Sequence, residues 1–155
     1  MMVISEIKNQ KLKSKITKEI LTALPEWFSI EKAISSYCYM VKSQLFFVAK
    51  EKTMIVGFIS IKENNKYTAE IEVMGVLKEY QSKGIGRNLL EIAVKHLKRR
   101  KIKYLIVKTL AKSKKDKFYD KTRRFYIKQG FDPIIESDKI WNKNNPCVIM
   151  IKRIA

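Results

Sequence analysis

The segment from Tyr67 to Leu110 constrains the fold of this chain more than any other. Tyr67 to Leu77 (YTAEIEVMGVL) alternates and reads as a long central strand. Glycines follow in a short turn. Ile85, Leu89, Ile92, Ala93 and Leu97 then fall on one face of a helix that ends in basic residues near Lys101. Tyr104 to Leu110 (YLIVKTL) is short and almost wholly apolar, as a buried strand should be. A strand, a helix and a second strand in this order require a partly parallel mixed sheet with helices packed on it.

The flanking segments extend that core. Ser14 to Leu24 has helical spacing and stops at Pro25. Ser29 is placed to cap a second helix running to about Lys42, with Glu31 in its first turn, where the helix dipole favours negative charge. Leu45 to Lys50 and Met54 to Lys62 are β-rich runs on either side of a charged turn and form a hairpin. Lys117 to Gln129 is helical, with Gly130 at the expected C-terminal cap, and Phe131 to Ile135 and Cys147 to Ile154 are the last strands. The expectation is one α/β (α+β) domain over residues 1–155, with six to seven strands in a mixed central sheet and about four helices on its faces.

Only five glycines occur in 155 residues, so their positions carry information. Gly84 and Gly86 lie where the central strand gives way to a helix. Without side chains there, backbone N–H groups can approach an anion at the positive end of the helix. Gln81, Lys83 and Arg87 add side-chain donors. The turn is not G-x-G-x-x-G, since position 89 is Leu, and no Gly-Lys-Ser/Thr follows, which disfavours a dinucleotide site or an NTPase. Gly75, inside the strand, marks either a bulge or a close backbone approach.

Together these features resemble the GNAT superfamily of N-acetyltransferases. Gln81 to Gly86 matches its Gln-x-x-Gly-x-Gly loop after a bulged strand, and Tyr126 to Phe131 (YIKQGF) matches its Tyr-x-x-x-Gly-Phe helix end. The resemblance spans roughly the whole chain, and its core runs from Glu70 to Phe131. It implies a single GNAT-like domain that binds acetyl-CoA between two parallel strands splayed at the bulge, here Tyr67–Leu77 and Tyr104–Leu110. The cofactor site implied is Met74, Gly75 and Val76 along the pantetheine arm, with Gln81, Ser82, Lys83, Gly84, Ile85, Gly86 and Arg87 at the pyrophosphate.

The reaction implied is direct acetyl transfer from the thioester to the primary amine of a small molecule or peptide. Such a reaction needs an acid for the departing thiolate and a base for the amine. Tyr126 matches the family's acid, although packing among Phe118, Tyr119 and Phe125 would also explain it, and Tyr119 is the nearest substitute. Glu70 and Glu72 are the base candidates. Strand alternation places both, with Met74, on one side, and a carboxylate on a buried strand has to be paired or used. Either could instead bind a cationic substrate or pair with a lysine. Trp27, Phe28, Tyr37 and Trp141 make the expected acceptor region aromatic.

The formal net charge of +18 would attract nucleic acid, acidic membrane or a polyanionic ligand. Yet 27 of the 33 basic residues are lysines spread from end to end, whereas bidentate phosphate or base recognition favours arginine. Nucleic-acid binding is therefore the weakest reading, behind an acyl-CoA sensor without turnover. No apolar run is long enough to span a bilayer, and the N-terminus lacks the plan of a signal peptide, so a cytoplasmic protein is expected. No disulfide between Cys38 and Cys147 and no metal site are expected. His96 and Cys147 are assigned packing roles, and a homodimer is compatible with the resemblance.

Overall fold

The computed structural model describes residues 2–155. Seven strands form one sheet: β1 (Met2–Glu6), β2 (Leu45–Glu51), β3 (Met54–Glu63), β4 (Thr68–Val76), β5 (Tyr104–Leu110), β6 (Asp132–Asn142) and β7 (Asn145–Arg153). Their spatial order is β1-β2-β3-β4-β5-β7-β6. Every neighbouring pair is antiparallel except β4 and β5, which the intervening helix makes parallel.

Four α-helices cover the sheet: α1 (Gln10–Thr22), α2 (Glu31–Met40), α3 (Ile85–Arg99) and α4 (Lys117–Lys128). On one face Leu89, Leu90, Ala93 and Leu97 of α3 and Tyr126 of α4 pack with Ile59, Ala69, Ile71, Leu105 and Val107. On the other, Ile16, Ile20 and Leu21 of α1 and Leu24 after it pack with Phe46, Val48, Phe58 and Val73, with Ile34 and Tyr37 of α2 at the margin. The expected mixed α/β sheet with four helices is what the chain forms. No helix among the described residues is long and apolar enough to cross a membrane.

Several boundaries differ from the sequence reading. α1 starts at Gln10, not Ser14, because the Asn9 side chain accepts a hydrogen bond from the Leu12 N–H at 2.9 Å and satisfies an open first-turn donor. The N-cap of α2 is Ile30, with no side-chain cap, so Ser29 does not cap it; Glu31 does stand in its first turn. That helix ends at Met40, and a 3-10 turn over Val41–Ser43 leads into β2. β1 was not foreseen. β6 runs on to Asn142 instead of stopping at Ile135; as the outer edge strand it is exposed along nearly its whole length, so it lacks the apolar alternation that would mark it. Pro133 sits in it beside a register shift, as edge strands permit.

Candidate active site

β4 builds the site through an irregularity. Val73 faces Ser60 and Ile71 faces Ile61, so Glu72 is an extra residue, a β-bulge. The bulge breaks strict alternation. Ile71 packs on the α3 side, Val73 on the α1 side, and Met74 again on the α3 side. The expectation that Glu70, Glu72 and Met74 share one side is therefore wrong for Met74. Gly75 is not the bulge but a close approach: a Cβ there would lie 3.0 Å from Ile20 Cγ2 and 3.2 Å from Leu24 Cδ1. The glycine lets α1 and the chain after it seat directly on β4.

Past the bulge the parallel pair comes apart. The β4–β5 ladder runs from Thr68↔Tyr104 to Ile71↔Val107 and stops. A groove of about 950 Å³ opens beyond it. Glu72, Met74, Gly75 and Val76 from β4 line it, facing Val107, Lys108 and Thr109 from β5. Glu70 does not: it is 7% exposed and sits 3.6 Å from the Lys108 ammonium, with the Asn64 amide donating to it at 3.4 Å. Glu72 is half-buried and accepts a hydrogen bond from Gln44 Nε2 at 3.0 Å.

One end of the groove reaches the glycine loop. Gln81, Ser82, Gly84, Ile85, Gly86 and Arg87 all line it, whereas Lys83 does not and lies 5.6 Å over the Tyr80 ring. Ser82 and Gly84 adopt left-handed backbone, with φ of +62° and +84°. Gly84 is the N-cap of α3 and has no side chain to satisfy the first amides of the helix. A Cβ on it would meet nothing within 4 Å, so the space over those amides is open. Gly86 has a different reason to be glycine. Its Cβ would come 3.1 Å from Met74 Cε and 3.2 Å from Phe125 Cζ, so its absence lets α3 close onto β4 and α4. Gln81 Nε2 donates to the Val76 carbonyl at 2.9 Å, tying the loop to the end of β4. Arg87 pairs with Glu91 one turn on, at 2.9 Å.

Tyr126 reaches the groove from the α4 side. Its ring stacks edge-on with Phe125 and Phe131, at centroid distances of 5.2 and 5.3 Å, and its hydroxyl points to Met74 Sδ at 4.0 Å. A thioether is a weak acceptor, so this buried O–H has spare donor capacity. Burial, reinforced by Tyr119 and Tyr37, pushes its pKa well above the ordinary tyrosine range. Tyr119 is committed elsewhere: its hydroxyl donates to the Trp27 carbonyl at 2.7 Å, and burial pushes its pKa up to about 12.

Trp27, Phe28, Tyr37 and Trp141 also line the groove. Trp27 bridges its two walls. The indole N–H is shared between Thr122 Oγ1 at 3.1 Å and the Phe118 carbonyl at 3.2 Å, and its ring packs edge-on to Phe118. This link joins the segment after α1 to α4 across the mouth of the splayed strands. The sequence showed both aromatic segments but held no signal that they meet. Burial, followed by the nearby Glu72 and Glu70 carboxylates, raises the Tyr37 pKa. Outside the groove, His96 packs edge-on to Phe47 and Cys147 is buried. Among the described residues no cluster of His, Cys, Asp and Glu has the makings of a metal site.

A model of the acetyltransferase (GNAT) domain matches residues 42–133, more than half of the chain, and the chain belongs to that family. Among solved structures the fold is similar to a GNAT-family protein from Desulfovibrio desulfuricans, with a TM-score of 0.85, 15% identity and 100% of both chains covered. It is also similar to the ribosomal-protein-S18-alanine N-acetyltransferase of Escherichia coli, with a TM-score of 0.77, 20% identity and coverage of 100% of this chain and 95% of that one. A third similar structure is the PaiA N-acetyltransferase of Thermoplasma acidophilum in complex with coenzyme A, with a TM-score of 0.74, 20% identity and 99% of each chain covered. Identities at this level speak to the fold. A search of curated protein sequences found no match.

Proposed function

We propose that this chain moves an acetyl group from acetyl-CoA directly to the primary amine of a small molecule or peptide. The observation that carries the reading is the continuous groove from the uncapped start of α3, along the unpaired edge of β4, to the Tyr126 hydroxyl. Its parts suit the cofactor. Open helix amides beside a left-handed glycine favour a pyrophosphate, and the released edge of β4 offers backbone groups to an amide-bearing chain. The coenzyme A complex of the Thermoplasma neighbour supports the same cofactor, and the alanine N-acetyltransferase of Escherichia coli supports an amine acceptor.

Acetyl-CoA, when bound, supplies the activated acetyl group and leaves as the thiol. The backbone of Met74 and Val76 aligns the pantetheine arm, and the amides from Ser82 to Arg87 hold the pyrophosphate. Tyr126 keeps its proton at neutral pH, because burial opposes its ionisation, and serves as the acid. Glu72 serves as the base in preference to Glu70, since Glu72 lines the groove while Glu70 is set behind it against Lys108. Trp27, Phe28, Tyr37 and Trp141 wall the acceptor end.

Two measurements test this. Acetyl-CoA at about 100 times its dissociation constant should stabilise the fold by about 2.7 kcal/mol, a Tm rise of roughly 5–10 °C for a chain of this size. No shift would sink the cofactor assignment. Release of CoA thiol should then depend on an amine from an acceptor panel; stabilisation without release from any amine would favour a sensor.

A further inference from the structure

Gln44 is not part of any motif in the chain, yet it sits at the centre of a hydrogen-bond chain that ends on Glu72. Its backbone is fixed first. The Gln44 carbonyl accepts from the Lys13 ammonium at 2.6 Å, and Lys13, on α1, is only 7% exposed. Its N–H donates to the Val41 carbonyl at 3.1 Å, closing the 3-10 turn before β2. The side chain is fixed by elimination. An ionised carboxylate only accepts, so the amide has to present its NH₂ to Glu72 Oε1, at 3.0 Å. The amide oxygen then faces Ser60 Oγ at 2.7 Å, and the fully buried Ser60 hydroxyl must donate to it.

Ser60 is also the last residue of β3 in register before the bulge. The chain from Ser60 through Gln44 to Glu72 therefore spans the irregularity from one strand to the other. It occupies Oε1 of Glu72, and no hydrogen bond among the described residues is made to Oε2. Tyr37 from α2, Lys108 from β5 and Tyr119 from α4 line the groove with Glu72, and Glu70 precedes it on β4.

We propose that Gln44 is a positioning residue: with Ser60 it locks the Glu72 carboxylate in one rotamer, with its second oxygen left for the amine of the acceptor. The proposal rests on the assignment of Glu72 as base.

The test combines crystal structures of Gln44→Leu and Ser60→Ala with steady-state kinetics on the best amine of the acceptor panel. In Gln44→Leu the Glu72 side chain should leave its single rotamer, and kcat should fall by about tenfold, with KM for acetyl-CoA unchanged. Ser60→Ala, which frees the amide to turn, should act the same way by less. One Glu72 rotamer and parent turnover in both variants would overturn the role of Gln44, and Ser60→Ala decides alone if Gln44→Leu fails to fold. Full turnover in Glu72→Gln would remove the base assignment and this proposal with it. An inactive Glu72→Gln beside parent turnover in the two variants would remove the Gln44 role alone.

Discussion

Replacing Tyr126 by phenylalanine separates chemistry from packing unusually well in this molecule. The ring, 6% exposed and stacked against Phe125 and Phe131, stays in place in Tyr126→Phe. The one atom lost is the hydroxyl oxygen, whose neighbour is a thioether sulfur at 4.0 Å. Removing a buried donor from so weak a partner strands no strong acceptor, so stability should change by less than about 1 kcal/mol. At 155 residues that is a Tm change of about 4 °C at most. The dissociation constant for acetyl-CoA, measured by calorimetric titration, should stay within about threefold, because loss of a weak contact changes binding energy little. Turnover should fall by about a hundredfold or more, the usual share of a positioned proton donor. The assay is CoA thiol release with the best amine from the acceptor panel, at saturating acetyl-CoA. Turnover within about threefold of the parent would refute the acid role. A loss of affinity as large as the loss of turnover would instead make Tyr126 a packing residue.

Other outcomes follow from the same geometry. Gly86→Ala drives a methyl to 3.1 Å from Met74 Cε and 3.2 Å from Phe125 Cζ, and should lower stability by about 1–3 kcal/mol in thermal melts. Gly84→Ala meets no atom within 4 Å but holds φ at +84°, so it should cost about 1 kcal/mol, from strain alone. Gly84→Val adds bulk over the open amides of α3 and should weaken acetyl-CoA binding well beyond its effect on melting; unchanged affinity would refute the phosphate placement. In alkaline solution Tyr37, Tyr119 and Tyr126 should ionise above the ordinary tyrosine range, Tyr119 near 12. Their folded pKa values are raised, so their contribution is complete below pH of about 10 and is lost as pH climbs through the folded values. Tyrosinate absorbance should therefore show a late phase that coincides with unfolding; a late phase absent from the native protein would refute the burial argument.

Legibility in the sequence followed burial. α3 announced itself by apolar residues at helical spacing turned to one core, and β5 by an almost wholly apolar run. β6 was read only as far as Ile135, because an edge strand exposed along nearly its whole length has no period to show beyond that point. The glycine loop was legible as a tight strand-to-helix turn, but the two glycines serve different ends. Gly84 leaves its amides open, while Gly86 is required by Met74 and Phe125. Trp27 was read as part of the acceptor region and Tyr119 as the substitute for Tyr126, but not as partners of each other. Their hydrogen bond joins residues 92 positions apart, and no local pattern encodes such a contact.

The misplaced residue in the sequence reading shows most clearly how the site works. With strict alternation Met74 would lie beside Glu72, on the face covered by α1 and α2. The extra residue at Glu72 turns Met74 over to the face covered by α3 and α4, where its sulfur meets Tyr126. Glu72 remains on the opposite side with Gln44 and Ser60. A continuous sheet would wall off two such groups from each other. Here the ladder ends at Ile71↔Val107, and the gap beyond it lets both line one groove. The proposed acid and base thus approach from opposite faces of the sheet, and a substrate lying between the strands can meet both at once. Deleting Glu72 should restore regular alternation, with Ile71, Val73 and Met74 facing Ile61, Ser60 and Ile59 in turn, and leave Met74 on the α3 side. The expected result is a folded chain whose Tyr126 hydroxyl keeps its Met74 neighbour, but whose groove has lost the carboxylate opposite it and whose turnover is absent. Retained turnover in that deletion would refute the proposed arrangement across the sheet.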